Sequence, residues 1–259
     1  MRVIASGLAV AGLLAASACT AVVPPEASAP GSSPTAAERP APASPGTSPG
    51  SPGTPALTAE QAQSALISEA DLGVPWTLSG GTATWHDGLL KAATGLPDCQ
   101  NLLDALYADE LLEPAGPHAV AALDDGDDEA QLRYHVIASH SADIDRTLAW
   151  LRAMPGTCGQ FTARTTRSGT ETVQVADAGL TALGDARQGL RVTLTGESPE
   201  NGDAPTTLTL DVAVVRVGDD AIVLTDGALG TLPAHTTEQA LDLGVRRLAQ
   251  VRELGRAQA

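Results

Sequence analysis

Large rings are scarce in this chain: three Trp, two Tyr and one Phe among 259 residues. Its core must therefore be aliphatic, filled by Leu, Val and Ala. Lysine is scarcer still, with Lys91 the single example beside fourteen arginines, which excludes most lysine chemistry. Basic charge as a whole is short, 15 Lys and Arg against 31 Asp and Glu, for a formal net charge of −16. An acidic field repels phosphate backbones and anionic head groups, so nucleic acid and polybasic membrane contact are disfavoured as partners, and no nucleic acid is expected. From Thr58 onward there is no G-x-S-x-G elbow, no S-x-x-K and no phosphate-binding loop. The usual nucleophile and nucleotide signatures are thus missing, and the chain is not expected to be an enzyme or to use a cofactor.

What is present begins at the amino terminus. Met1 and Arg2 precede an apolar run from Val3 to Ala16, which ends in Ala16-Ser17-Ala18-Cys19. The run is too short to span a bilayer as a mature helix and has the form of a secretory signal over residues 1–18. Small residues before the cut suit a signal peptidase, and a Cys directly after it offers a thiol for a diacylglyceryl group. The segment resembles the lipobox of bacterial lipoproteins, with Ala16 where Leu or Val is usual. Ordinary cleavage after Ala18, or an uncleaved anchor, are the alternatives. Cysteine parity opposes both, because lipidation of Cys19 leaves Cys99 and Cys158 as an even pair in an oxidising compartment. Ten of the eighteen prolines lie between Thr20 and Leu57 among Ala, Ser, Gly and Thr. Residues 19–57 therefore read as the lipidated Cys and a disordered tether. About two hundred residues, one domain's worth, remain from residue 58 to 259.

Within that domain, Thr58 with Gln61 three residues on forms a capping box for a first helix reaching about Ala70, before Gly73 and Pro75. Trp76 to Trp85 reads as extended, broken at Gly80-Gly81. A second helix is expected from Asp98, capped by its side chain, with Leu102, Leu103, Leu106 and Tyr107 at helical spacing. Ala119 to Leu123 and Ala130 to Ala138 are two strands about a solvated tip at Asp124 to Glu129. A third helix over Asp143 to Met154 is stopped by Pro155-Gly156, just before Cys158. Gln160 to Arg167 with Glu171 to Ala176, and Leu190 to Thr195 with Thr207 to Val217, are hairpins, and Ala221 to Thr225 is a further strand. Thr236 with Gln239 caps a carboxy-terminal helix. Leu208, Leu210, Val212 and Val214 are expected to face inward, with Thr207, Thr209 and Asp211 outward or paired across strands. Hairpins separated by a few helices, with no βαβ alternation, predict an α+β domain on an antiparallel β-sheet with helices packed on one face.

Three segments carry a resemblance: Leu66 to Gly73 at the end of the first helix, Cys99-Gln100-Asn101-Leu102, and Leu148 to Met154 leading to Cys158 and Phe161. They resemble the extracellular sensor domain of PknH-type actinobacterial serine/threonine kinases, which also occurs in stand-alone lipoproteins, over most of residues 58–253. The resemblance implies an antiparallel sheet with helices, a cleft for an extracellular ligand and no catalytic residues. The kinase version has a transmembrane helix, a cytoplasmic kinase and two disulfides; this chain has neither kinase nor second span, and one candidate pair.

Cys99 and Cys158 are expected to form a disulfide, since an oxidising compartment and the lack of a C-x-x-C motif disfavour a catalytic thiol or a metal site. No metal site is expected at His118, His135 and His140, because residues five apart on a strand point to opposite faces. Nor do Asp124, Asp125, Asp127, Asp128 and Glu129 follow calcium-loop spacing. Trp76 and Trp85 flank a Gly-rich strand and are either core residues or ligand platforms in a cleft. The sequence expectation is a non-catalytic ligand-binding or sensor-type lipoprotein on the extracytoplasmic face of the cell membrane. Its partners are the membrane, through the lipid anchor, and a small molecule or envelope ligand. A structural or protein-interaction module, and an envelope enzyme of unrecognised type, are the alternatives.

Overall fold

A computed structural model describes residues 56–127, 129–167, 169–197, 204–233 and 235–258. The signal sequence, Cys19 and the tether to residue 55 lie outside the described residues. The fold is organised by one nine-stranded sheet in the order β1-β3-β4-β9-β8-β7-β6-β5-β2. Its strands are β1 (Thr77–Leu78), β2 (Ala92–Ala93), β3 (His118–Asp125), β4 (Ala130–Ala138), β5 (Gln160–Thr165), β6 (Gly169–Asp177), β7 (Ala186–Gly196), β8 (Thr207–Val217) and β9 (Asp220–Leu229). Every pairing is antiparallel. The helices are α1 (Ala59–Ser64), α2 (Glu69–Leu72), α3 (Pro97–Ala108), α4 (Ser141–Thr157) and α5 (Thr236–Gln258). None is long and apolar enough to cross a membrane.

The expected α+β architecture on an antiparallel sheet is the one observed. On one face, Leu190, Val192, Leu208, Leu210, Val212 and Val214 pack under Leu102 and Leu106 of α3 and Ile144, Leu148 and Leu151 of α4. The other face is covered as well: Leu132, Tyr134, Ala213, Val215, Ile222 and Leu224 meet Ala62 of α1 and Ala240, Leu241 and Leu248 of α5. Strand patterns record the difference. Val212 to Val215 is continuously buried because helices lie on both sides, whereas Phe161 to Thr165 and Glu171 to Val175 alternate buried and exposed. An alternating strand has one covered face.

Local boundaries depart from expectation for identifiable reasons. The Thr58 to Gln61 capping box is present, but the first helix is two. Leu66 and Ile67 turn into the core, and Asp71 accepts hydrogen bonds from the Ser68 amide and hydroxyl at 2.8 and 2.9 Å, starting α2. Helix α3 begins on Pro97 with no side-chain cap, so Asp98 does not cap it. Proline at the first helical position loses no intrahelical bond. Pro155 lies inside α4, which runs on to Thr157; so close to the end, the missing N–H removes a single bond from the last turn. Thr236, expected as the cap, is the first residue of α5, and the Gln239 side-chain amide donates to the Asp71 carbonyl at 3.0 Å and ties α5 to α2. Asp125, expected at a solvated tip, is buried, and its carboxylate accepts from the Asp127 amide at 3.0 Å.

Gly244 shows how tightly α5 is seated. A Cβ there would stand 2.0 Å from the phenolic oxygen of the fully buried Tyr134. Ala in a helix interior normally gains about 1 kcal/mol over Gly. Here Gly244→Ala is expected to lose about 1 to 3 kcal/mol by overpacking, read as a lower urea midpoint.

Candidate functional site

At one end of the sheet β7, β8 and β9 bring charged residues into register on the α5 side. Arg191 pairs with Asp211, and Asp211 with Asp226. The Arg191 guanidinium makes two bonds to Asp211, Nε to Oδ1 and Nη2 to Oδ2, each 2.7 Å. Two carboxyl groups on neighbouring strands would repel if both were charged. Asp226 is fully buried, and burial pushes its carboxyl up to about 7, with the neighbouring Asp211 and Asp125 charges acting in the same direction. Thr237, in the first turn of α5, donates to Asp226 Oδ2 at 3.0 Å, which opposes that rise. Its hydroxyl is also 3.5 Å from Asp211 Oδ2, so one threonine bridges the pair.

Above this network opens a cleft of about 500 Å³. Arg191, Thr193, Thr209 and Asp211 form its floor, Leu180, Leu232 and Pro233 supply apolar wall, and Thr237 and Glu238 bring the start of α5 to its rim. That volume is in the range of small-molecule sites, and the mix of apolar wall with a few convergent polar groups is typical of them. Asp226 lies beneath the floor, out of solvent, so it tunes the network without touching a bound molecule. The exposed His235 and Glu238 stand 3.7 Å apart at the rim. Among the described residues the cleft holds no hydrogen-bonded pair of a Ser or Cys with a His. Its groups are suited to hold a ligand by hydrogen bonds, with Arg191 and Thr193 as donors and the Thr209 hydroxyl, which itself donates to the Gly230 carbonyl at 2.6 Å, as an acceptor.

A smaller cavity of about 200 Å³ lies where the domain begins, lined by Leu57, Pro117, Ser139, His140, Asp220 and Arg252. Arg252 Nε is 3.0 Å from Asp220 Oδ2, and burial pushes the Asp220 carboxyl up to about 6.

Of the residues singled out in the sequence, Cys99 and Cys158 are brought together as a disulfide joining the first turn of α3 to the end of α4. Trp76 and Trp85 are not brought together: Trp76 is buried on the α5 side of the sheet and Trp85 on the α3/α4 side. The Trp85 indole donates to the Glu129 carbonyl at 3.1 Å. His135 is 2.8 Å from Asp109, which also binds Arg133 at 2.5 Å. No group of three potential metal ligands occurs among the described residues. Arg191, Asp226 and Thr237 were not distinguished by sequence. A charged residue interrupting an apolar strand, Leu210-Asp211-Val212 or Leu224-Thr225-Asp226, is the signal that marks the network.

The class defined by this fold is an antiparallel α+β domain with helices on both faces and a polar cleft beside the start of its last helix. No family model matches the chain, and no curated protein matches it. Among solved structures it is similar to the extracellular domain of PknH from Mycobacterium tuberculosis, with 14% identity over 78% of this chain and 100% of that one, at a TM-score of 0.44. It is also matched to the Mog1 E65A mutant, at 12% identity over 56% of this chain and 80% of that one, with a TM-score of 0.24.

Proposed function

We propose that this chain is a lipoprotein anchored through Cys19 to the extracytoplasmic face of the cell membrane, whose domain binds an envelope or small-molecule ligand without transforming it. The observation that carries the binding reading is the cleft beside α5, roomy, part apolar, and floored by Arg191, Asp211, Thr193 and Thr209. A buried acid whose ordinary charge is suppressed sits directly under it, an arrangement seen more often at functional sites than elsewhere. The anchor is supported by the signal run and the small residues before Cys19, and by the disulfide that uses the other two cysteines.

Two measurements address the two parts. A palmitate analogue fed to expressing cells is expected to label the wild-type chain and not Cys19→Ser; equal labelling removes the anchor. Native mass spectrometry of the protein released from its own envelope is expected to show a non-covalent adduct held in the cleft.

A further inference from the structure

Beyond the cleft, the sheet face that α5 leaves uncovered has an unusual composition. Side chains of β5, β6, β7 and β8 on this side form rows across the strands. Thr162 pairs with Thr172, Thr172 with Thr195, and Thr195 with Thr207. In the next row Gln160 pairs with Gln174, Gln174 with Thr193, and Thr193 with Thr209. All eight are exposed or half-buried, and their strand neighbours Phe161, Val173, Leu194 and Leu208 point to the other face, into the core. The sheet thus presents two adjacent rows of hydroxyl and amide groups, about 4.8 Å apart between strands and about 7 Å apart along them.

The two rows themselves are uncharged. The chain carries 31 acidic residues, yet neither row contains one; the flanking positions are the exposed Arg164 on β5 and, on β7 and β8, the Arg191–Asp211 ion pair, whose two charges offset each other. Large apolar side chains are missing from the rows as well. A protein interface needs an apolar core with aromatic anchors, which these rows do not offer. An anionic polymer meets the repulsion of the whole acidic chain. A neutral polymer rich in hydroxyls meets neither obstacle, since threonine hydroxyls and glutamine amides both donate and accept.

We infer that the β5–β8 face is a docking surface for an uncharged, polyhydroxylated polymer, a neutral glycan chain. The row ending in Thr193 and Thr209 runs into the cleft, of which both residues are part of the floor. A glycan lying along the face therefore reaches the cleft with one end or a branch. The inference goes beyond the reading of the cleft as a ligand site and stands on the face independently. Thr162, Thr172, Thr195 and Thr207 lie outside the cleft lining, so the two can be tested apart.

The test is affinity electrophoresis of the full-length Cys19→Ser chain through native gels containing soluble mannan, dextran or arabinogalactan, with heparin as the anionic comparison. At least one neutral glycan is expected to retard the protein, and heparin is not. The double variant Thr172→Val, Thr195→Val keeps the branched shape of the strand residues, and its thermal midpoint is read alongside. It is expected to fold as the wild type and to lose about tenfold in affinity, the effect of removing two hydrogen-bonding hydroxyls. A second pair, Thr162→Val with Thr207→Val, gives the same reading if the first pair fails to fold. Retardation by heparin alone, by none of the glycans, or to the same extent in both folded variants overturns the inference. If an adduct is still found in the cleft by native mass spectrometry, only the glycan face falls; retardation without an adduct upholds the face and removes the cleft reading.

Discussion

Replacing Cys99 and Cys158 together by alanine is expected to lower the free energy of unfolding by about 4 kcal/mol, because the disulfide closes a loop of roughly sixty residues whose freedom in the unfolded chain it removes. That is a large share of a domain's usual margin of about 5 to 15 kcal/mol. The bridge holds α3 to α4, the pair of helices packed on one face of the sheet, and both sulfur-bearing residues are only 1% exposed. Reductant alone is therefore expected to act slowly, through opening of this layer, whereas the double variant shows the full loss at once. The measurement is guanidinium unfolding of both proteins. A loss below about 1 kcal/mol contradicts the chain-entropy account of this cross-link.

Stability is also expected to fall as pH rises from about 4.5 to 8, the reverse of ordinary acid denaturation. Glu171 is wholly buried, with neither carboxyl oxygen hydrogen-bonded, and burial pushes it up to about 7. Asp226 is pushed to the same region. A carboxyl raised in the folded state keeps its proton after the unfolded chain has released its own. Its stabilising contribution is complete below pH 4 and is lost as pH climbs through the folded value. Asp71 has the opposite sign. The bidentate Arg247 guanidinium, at 2.8 and 2.9 Å, lowers it to about 2. Its contribution is present above pH 4 and lost as pH falls through 2. Maximum stability is thus expected near pH 4 to 5. Asp226→Asn, which cannot ionise, is expected to gain on the order of 3 kcal/mol at pH 8 and little at pH 4. Thermal midpoints of both proteins across this range check it; parallel pH curves contradict it.

Much of the sheet was legible because a hairpin is specified locally. The turns at Asp125-Gly126 and Val217 to Asp220 place β3, β4 and β8 within a residue or two of where they lie and fix the start of β9, which runs four residues beyond the expected Thr225 to Leu229. The Thr58 to Gln61 box marks α1 for the same reason. Long-range placement was less legible. Trp76 and Trp85 are nine residues apart, and nothing between them reveals that the chain passes from one face of the sheet to the other around the edge strand β1. The second helical layer was readable in principle from the unbroken apolar run Val212 to Val215, which needs cover on both sides. The acid pair required more: Asp211 and Asp226 are opposite only in the β8–β9 register, and a shift of one residue would separate their side chains. Arg191 enters through a third strand. Each residue looks ordinary alone, and the site exists only once β7, β8, β9 and α5 are assembled.

The sharpest check of the cleft is native mass spectrometry of the protein released from its own envelope, wild type beside Thr193→Leu and Thr209→Leu, whose side chains intrude on the floor while leaving the buried Asp226 and its Thr237 bond in place. The account predicts an adduct on the wild type that both variants lose while remaining folded. A wild type with no adduct, or an adduct equally retained by both folded variants, contradicts it.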